Sequence, residues 1–261
     1  MRLSEGANAI FGDLPAKASA MVEVPVGAGD GLGTAIHRLS SVAAVSNDLS
    51  RVLDESTEVA LVVGGDCGVE FTAVRHALRD DTAVVWFDAH PDLNSPATSE
   101  SGAFSGMVLG ALLGRADGEF AAASLPAAAA GTPRLEPSRV VLAGARTYDD
   151  AEDAYIEEAG ITTVSAFELD PAEVVEAVAA TGASSVYIHV DLDVLDPSEF
   201  DGLLDPQPFG LAPATLVQTI QELRARFELV GAGLCSFAPA TPEAAADDMG
   251  TILRIVGALA R

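Results

Sequence analysis

Two short clusters carry the strongest chemical signal in the chain: Asp88, His90 and Asp92 in Asp-Ala-His-Pro-Asp, and Asp191 and Asp193 in Asp-Leu-Asp. Residues spaced by two share one face of an extended chain, so each cluster is expected to aim its side chains together. Four carboxylates converging on one cleft cannot all stay ionised without compensating positive charge. Divalent cations supply it, and a mixture of carboxylate and imidazole suits manganese-like ions better than soft ones. Two such ions would balance four aspartates, sit ~3.5–4 Å apart and share an activated water. A lone Asp-x-Asp is more often a solvated strand end or a helix cap. Two clusters of this kind, each directly after an apolar run, are far more specific for metal.

Strand-length apolar runs lie at 21–26, 59–63, 82–87, 139–142, 161–164, 185–190 and 229–234. They are rich in Val and Ile and mostly apolar on both faces, which suits a parallel sheet covered on each side. Helical stretches lie between and around them, at 33–53, 69–78, 106–114, 150–158, 171–180, 213–226 and 242–260. The alternation predicts βαβ units and a three-layer α/β sandwich in one domain, residues 1–261. Ligands of such sheets bind beyond the carboxyl ends of the strands. The polar residues found there are Gly64-Gly65-Asp66-Cys67, the two clusters, and Cys235-Ser236. The stretch 121–133 is rich in Ala, Pro and Gly and reads as a loop or short helix.

Composition narrows the partners. With 14 Lys and Arg against 39 Asp and Glu, the chain carries a formal charge of −25. Such a surface repels nucleic acid and anionic lipid. Two cysteines make no disulfide framework, the first residues lack the pattern of a signal peptide, and no run is long and apolar enough to span a bilayer. The expectation is a soluble cytoplasmic protein acting on a small molecule. The Gly-rich stretch 27–33 does not keep dinucleotide spacing and reads as a flexible loop. His37 and His76 read as surface residues, and His189 as a packed strand histidine.

The ordered set Gly-Gly-Asp-x, Asp-Ala-His-x-Asp, Ser-Gly-x-x-x-Gly and Asp-x-Asp-x-x-Asp-Pro resembles the arginase/agmatinase/formimidoylglutamase family, over about residues 24–239. The resemblance implies a mostly parallel sheet of about eight strands in an αβα sandwich. It further implies two manganese ions, hydrolysis of a guanidino-type C–N bond by a hydroxide shared between them, and trimers or hexamers. By the same match Asp88 and Asp191 would bridge the ions, His90 and Asp193 would complete one position, and Asp92 would serve the other and hold the nucleophile. Asn94, Ser99 and Ser101 fall on positions that hold the α-carboxylate of an amino-acid substrate. Asp149 falls on the position that meets its α-amino group, and Glu152 follows at similar spacing.

Three positions depart from the family pattern. Cys67 stands where the first ion takes a terminal His, Ser105 where a His shuttles protons to the leaving amine, and Ser236 where a Glu grips the guanidinium. A hydroxyl has no pKa near neutrality and cannot shuttle alone. Nor does it replace a charge-assisted contact. A thiol suits zinc better than manganese, so the Cys67 position is expected to be weak with manganese or to take a softer ion. Two functions stay open: a hydrolase whose activity on arginine is weak, and a catalytically impaired protein that binds a ligand or partners other subunits.

Overall fold

The computed structural model describes residues 2–27, 29–116, 118–119 and 133–260. The stretch 121–133 lies outside the described residues except for Pro133. In chain order the principal elements are α1 (Arg2–Asp13), α2 (Leu39–Asp54), β1 (Leu61–Val63), α3 (Glu70–Ala77), β2 (Thr82–Phe87), α4 (Val108–Leu112) and β3 (Val140–Ala143). They continue with α5 (Asp150–Ala159), β4 (Thr162–Val164), α6 (Pro171–Ala180), β5 (Ser185–Asp191), α7 (Pro213–Arg226), β6 (Glu228–Cys235) and α8 (Pro242–Ala260).

Every residue of β2 and β5 is buried, as apolar runs without alternation require. Side-chain alternation then splits the interior into two cores. Val85, Phe87, Ile188 and Val190 pack with Ile10, Val174, Leu216 and Ile252 of α1, α6, α7 and α8. Val84, Trp86, Leu142 and Tyr187 pack with Leu39, Phe71 and Val108 of α2, α3 and α4. Helices thus cover both faces of the sheet, the sandwich the sequence predicts. Each fully buried apolar side chain contributes roughly 1.5–3 kcal/mol. Local chemistry sets the boundaries: Pro171 and Pro213 open α6 and α7 in their first turns, and Gly160, at φ 65°, closes α5.

Among the described residues the sheet has six strands, all parallel, in the order β1-β6-β5-β2-β3-β4. About eight were expected. The run at 21–26 is not a strand: it is irregular, and Met21, Val24 and Val26 are exposed. Pro25 in its middle has no N–H for a ladder, which the apolar pattern outweighed in the sequence reading. The helix expected at 33–53 begins only at Leu39, because Arg38 takes a left-handed φ of 57°. The helix expected at 106–114 contracts to α4, after a 3-10 turn at Ser105–Met107 and before Gly114 at φ 87°. The sequence reading did not anticipate α1. Its Arg2 guanidinium donates to the carbonyls of Leu203, Ala238 and Pro239, tying the helix to the chain leaving β6.

Strand register positions the site. Phe87 pairs with Val190 and Ala143, and Val190 and Val63 both pair with Leu234. The strands therefore end level, and the residues that follow them gather along one edge of the sheet.

Candidate metal centre

Backbone turns, rather than extended chain, bring the acidic clusters together. Asp88 follows β2 and begins a bend, where its Oδ1 accepts the His90 N–H at 2.7 Å. Asp92 has a left-handed φ of 50°, a conformation that Asp tolerates better than most residues. Asp191 closes β5, and its Oδ1 accepts the Asp193 N–H at 2.9 Å at the start of a 3-10 turn. Asp193 Oδ1 in turn accepts the Ala89 N–H at 3.0 Å, joining the two loops. Arg146 holds this arrangement from behind, donating to the carbonyls of Asp193 and Gln207 at 2.8 Å each and to that of Pro208 at 2.9 Å.

Asp88, Asp92, Asp191 and Asp193 are all buried. Two donor sets share Asp88: one joins it to His90 and Asp193, the other to Cys67, Asp92 and His189. In the first, His90 Nδ1 lies 3.0 Å from Asp193 Oδ2 and 3.5 Å from Asp88 Oδ1, while Nε2 is 3.9 Å from the exposed Asp205. In the second, the Cys67 thiol donates to Asp191 Oδ2 at 2.8 Å. Ser236 donates to the same Asp191 oxygen from a left-handed φ of 69°.

Burial works against the His90 charge, but the Asp193 and Asp88 carboxylates raise its pKa to about 12. Burial, and then the neighbouring carboxylates, push Asp92 and Asp193 well above the usual carboxylate range. Asp88 lies below that range despite its burial, because His189 and His90 both face it. The Cys67 thiol is raised by its hydrogen bond with Cys235, by burial and by Asp191, in that order. The protein's own cations are too few for these acids, and Asp92 Oδ2 is buried without a hydrogen-bond partner. An orphaned buried carboxylate oxygen in a group with a thiol and an imidazole is what a cation would satisfy, so the residues fit divalent metal.

The other expected site residues fall into three groups. Asn94 donates to Asp149 Oδ2 at 2.7 Å, so the structure brings this pair together. Ser99 and Ser101 stand 3.4 Å apart on the following loop, where each hydroxyl accepts a backbone N–H. Glu152 is buried, and both of its oxygens are used by backbone, accepting from Leu93 and Asp149 as part of a capping box. Ser105 begins the 3-10 turn before α4 and is half-buried.

Sequence reasoning missed Glu70 and undervalued His189. Both are fully buried. His189 stacks on Trp86 with ring centroids 3.7 Å apart, and its Nδ1 lies 3.5 Å from Glu70 Oε2. Glu70 also accepts from the Tyr187 hydroxyl at 2.7 Å. Gly231 and Gly233 of β6 leave room for this cluster: a Cβ at Gly233 would overlap the Glu70 carboxylate, and one at Gly231 would stand 2.8 Å from the Tyr187 ring. The available signals were strand alternation, which turns His189 to the same face as Asp191, and a carboxylate three residues after Cys67.

The geometry defines a parallel α/β sandwich whose level strand ends gather carboxylates, imidazole and a thiol. The profile described as Arginase family matches residues 8–256, and the chain belongs to that family. It is 31% identical over 187 residues to an arginase of Bacillus subtilis (strain 168), an alignment covering 68% of this chain and 62% of that relative. The chain thus spans less than two thirds of that relative's length. An N(omega)-hydroxy-L-arginine amidinohydrolase of Streptomyces lavendulae is 29% identical over 201 residues, covering 76% of this chain and 68% of that one. The crystal structure of an arginase from Bacillus cereus superimposes with a TM-score of 0.76 at 28% identity, covering 87% of this chain and 80% of that one. An Entamoeba histolytica arginase in complex with L-ornithine has the same fold, with a TM-score of 0.82 at 20% identity, covering 99% and 92%. Among the described residues, no helix is long and apolar enough to cross a membrane.

Proposed function

We propose that the chain is a metal-dependent hydrolase that cleaves a guanidino or amidino C–N bond in a small molecule with an amino-acid head. The observation that carries this reading is the convergence of Asp88, His90, Asp92, Asp191 and Asp193 on one strand-end edge, with Asp92 Oδ2 left unpartnered. Membership of the arginase family, and relatives named for arginine and hydroxyarginine, support the substrate class. Two divalent ions, manganese in the His90 position, would supply charge compensation and an activated water near neutral pH. They would be held by Asp88, His90, Asp191 and Asp193, and by Asp88, Asp92, Asp191 and Cys67.

This chain's own residues would then divide the remaining work. Asp92 would hold the attacking water and, once the ions are bound, accept its proton. Ser99 and Ser101 offer hydroxyl donors to a substrate carboxylate, and Asp149, steadied by Asn94, offers an acceptor to its ammonium. Ser236 reaches Asp191 rather than offering a charge to the guanidinium, and Ser105 offers only a hydroxyl, so arginine should be a poor substrate. Glu152 shapes the site through the backbone. By its family membership the chain is expected to assemble with further copies, as a trimer or hexamer, which sedimentation would check.

The test is metal analysis of the purified chain joined to a urea- and ammonia-release screen over guanidino and amidino compounds. Release that depends on added divalent ion is expected. No release from any compound at full metal loading would overturn the hydrolase. The hydroxyls at Ser105 and Ser236 favour a second reading, a ligand-binding protein without turnover. Saturable binding of an amidino compound that stays intact would establish it.

A further inference from the structure

The donor set around Cys67 contains an imidazole that the chemistry above does not use. His189 Nε2 lies 3.7 Å from Cys67 Sγ and 3.7 Å from Asp88 Oδ2, and those two atoms are 4.0 Å apart. These separations are too long for strong hydrogen bonds, yet they suit ligands of one ion. Bonds of about 2.3 Å to sulfur and about 2.0–2.2 Å to nitrogen and oxygen, at tetrahedral angles, place the donors about 3.4–3.6 Å apart. Closing the observed triangle onto an ion needs movements of only a few tenths of an ångström. The fourth donor of the set is Asp92, 5% exposed, whose Oδ2 has no partner.

We propose that the ion position beside Cys67 is a mixed sulfur, imidazole and carboxylate site, made by Cys67 Sγ, His189 Nε2, Asp88 and Asp92, with His189 taking the place given to Asp191 above. The inference rests on the reading of the cleft as a cation site and assigns one of its positions a zinc-type ion. A thiolate with an imidazole selects zinc or cobalt over manganese. The thiol proton and the Nε2 proton of His189 both leave to solvent as the sulfur–metal and nitrogen–metal bonds form. Glu70 is the positioning residue. Its carboxylate lies 3.5 Å from Nδ1, which is buried without a hydrogen bond, and on metal binding would favour the tautomer with the proton on Nδ1 and the lone pair on Nε2, facing Cys67. Trp86 fixes the ring plane by stacking and also donates its indole N–H to Asp88 Oδ2 at 3.2 Å. Loss of the family's histidine at position 67 is thereby compensated from the neighbouring strand, with nitrogen supplied by β5 and sulfur by the turn after β1.

The test titrates cobalt(II) and zinc(II) into the metal-free full-length chain and into Cys67→Ser, His189→Gln and Glu70→Gln. Circular dichroism checks that each variant is folded. The unmodified chain should show a near-ultraviolet sulfur-to-cobalt charge-transfer band that is absent from Cys67→Ser. Zinc-edge X-ray absorption should show one sulfur neighbour at about 2.3 Å. His189→Gln should weaken zinc at this position at least tenfold, and Glu70→Gln about 10–100-fold, the usual effect of losing an outer carboxylate. Manganese at the His90 position should change less than twofold in both. Should the buried variants fail to fold, the cobalt band and the zinc-edge spectrum of the unmodified chain decide the sulfur donor, and the imidazole scattering of a His90→Ala variant decides His189. Ions bound with no sulfur signal, or zinc affinity unchanged in folded His189→Gln, would overturn this inference and leave the proposed hydrolase standing. No binding of any divalent ion would overturn both.

Discussion

Gly233→Ala should be among the most damaging single-methyl additions in this protein. The new Cβ would fall well inside van der Waals contact of the Glu70 carboxylate. That carboxylate is fully buried and holds the Tyr187 hydroxyl at 2.7 Å, so it cannot swing into solvent. Overpacking costs about 1–3 kcal/mol, and displacing Glu70 from Tyr187 loses a hydrogen bond to a charged group, about 1.5–3 kcal/mol. Together the loss is about 2.5–6 kcal/mol, against a total stability of about 5–15 kcal/mol for a natural domain. Urea unfolding of the metal-free protein, followed by circular dichroism, reads the change directly. Gly65→Ala is the control, because its Cβ would come no nearer than 3.7 Å to Leu3. In a Glu70→Ala background the obstruction is gone, and Gly233→Ala should cost less than half as much. A Gly233→Ala protein within about 0.5 kcal/mol of its parent, or one paying the same penalty in both backgrounds, would refute the reasoning.

Asp191→Ala should lower metal content sharply, since Asp191 accepts from Cys67, Ser236 and the Asp193 backbone and so ties the two donor sets together; elemental analysis after gel filtration would show it. A variant with full metal content would put the site elsewhere. Arginine should be turned over weakly even by the metal-loaded chain, because each missing charge-assisted contact costs roughly 1.5–3 kcal/mol, about one to two decades in rate. Urea release from arginine as fast as from every other guanidino compound tested would contradict this. The metal-free protein should lose thermal stability with rising pH. His90 and His189 are raised to about 12 and about 9, so their contribution is complete below their ordinary value of 6.5 and is lost as pH climbs through the raised values. The raised Asp92, Asp191 and Asp193 act in the same direction, and melting from pH 6 upward, once in EDTA and once with zinc and no chelator, would reveal a fall that metal flattens.

The parallel sheet was legible because β2, β5 and β6 are nearly unbroken apolar runs, each ending in polar residues. The donor clusters were legible for the same reason, although the rationale was incomplete. Spacing by two was expected to work through extended chain, whereas Asp88, His90 and Asp92 lie on bends and a left-handed turn that Asx-type hydrogen bonds close. Hydropathy misled at 21–26, because it does not register the missing N–H of Pro25. Glu70 was invisible because an acidic residue early in a helix ordinarily means a favourable surface dipole contact. Only the register of β5 against β6, with Gly233 opposite His189, shows that the interior has space for it. Glu152 was ambiguous in the sequence for the opposite reason, since a capping glutamate and a substrate-facing one share the same spacing.

The sheet order has a consequence for how the chain acquires its site. Among the described residues β1 pairs only with β6, the last strand of the sheet in chain order, and β5 lies between β6 and β2. On a ribosome, the Cys67 turn must wait for nearly the whole chain before its neighbours exist. Long-range parallel pairings of this kind are slow to form and leave apolar edges uncovered meanwhile. The Cys67 donor set draws on the turn after β1, the loop after β2 and the middle of β5, so it cannot assemble in a partly made chain. Metal captured there would mark the completion of folding, and a chain lacking its final strand should neither hold that ion nor keep β1 in register.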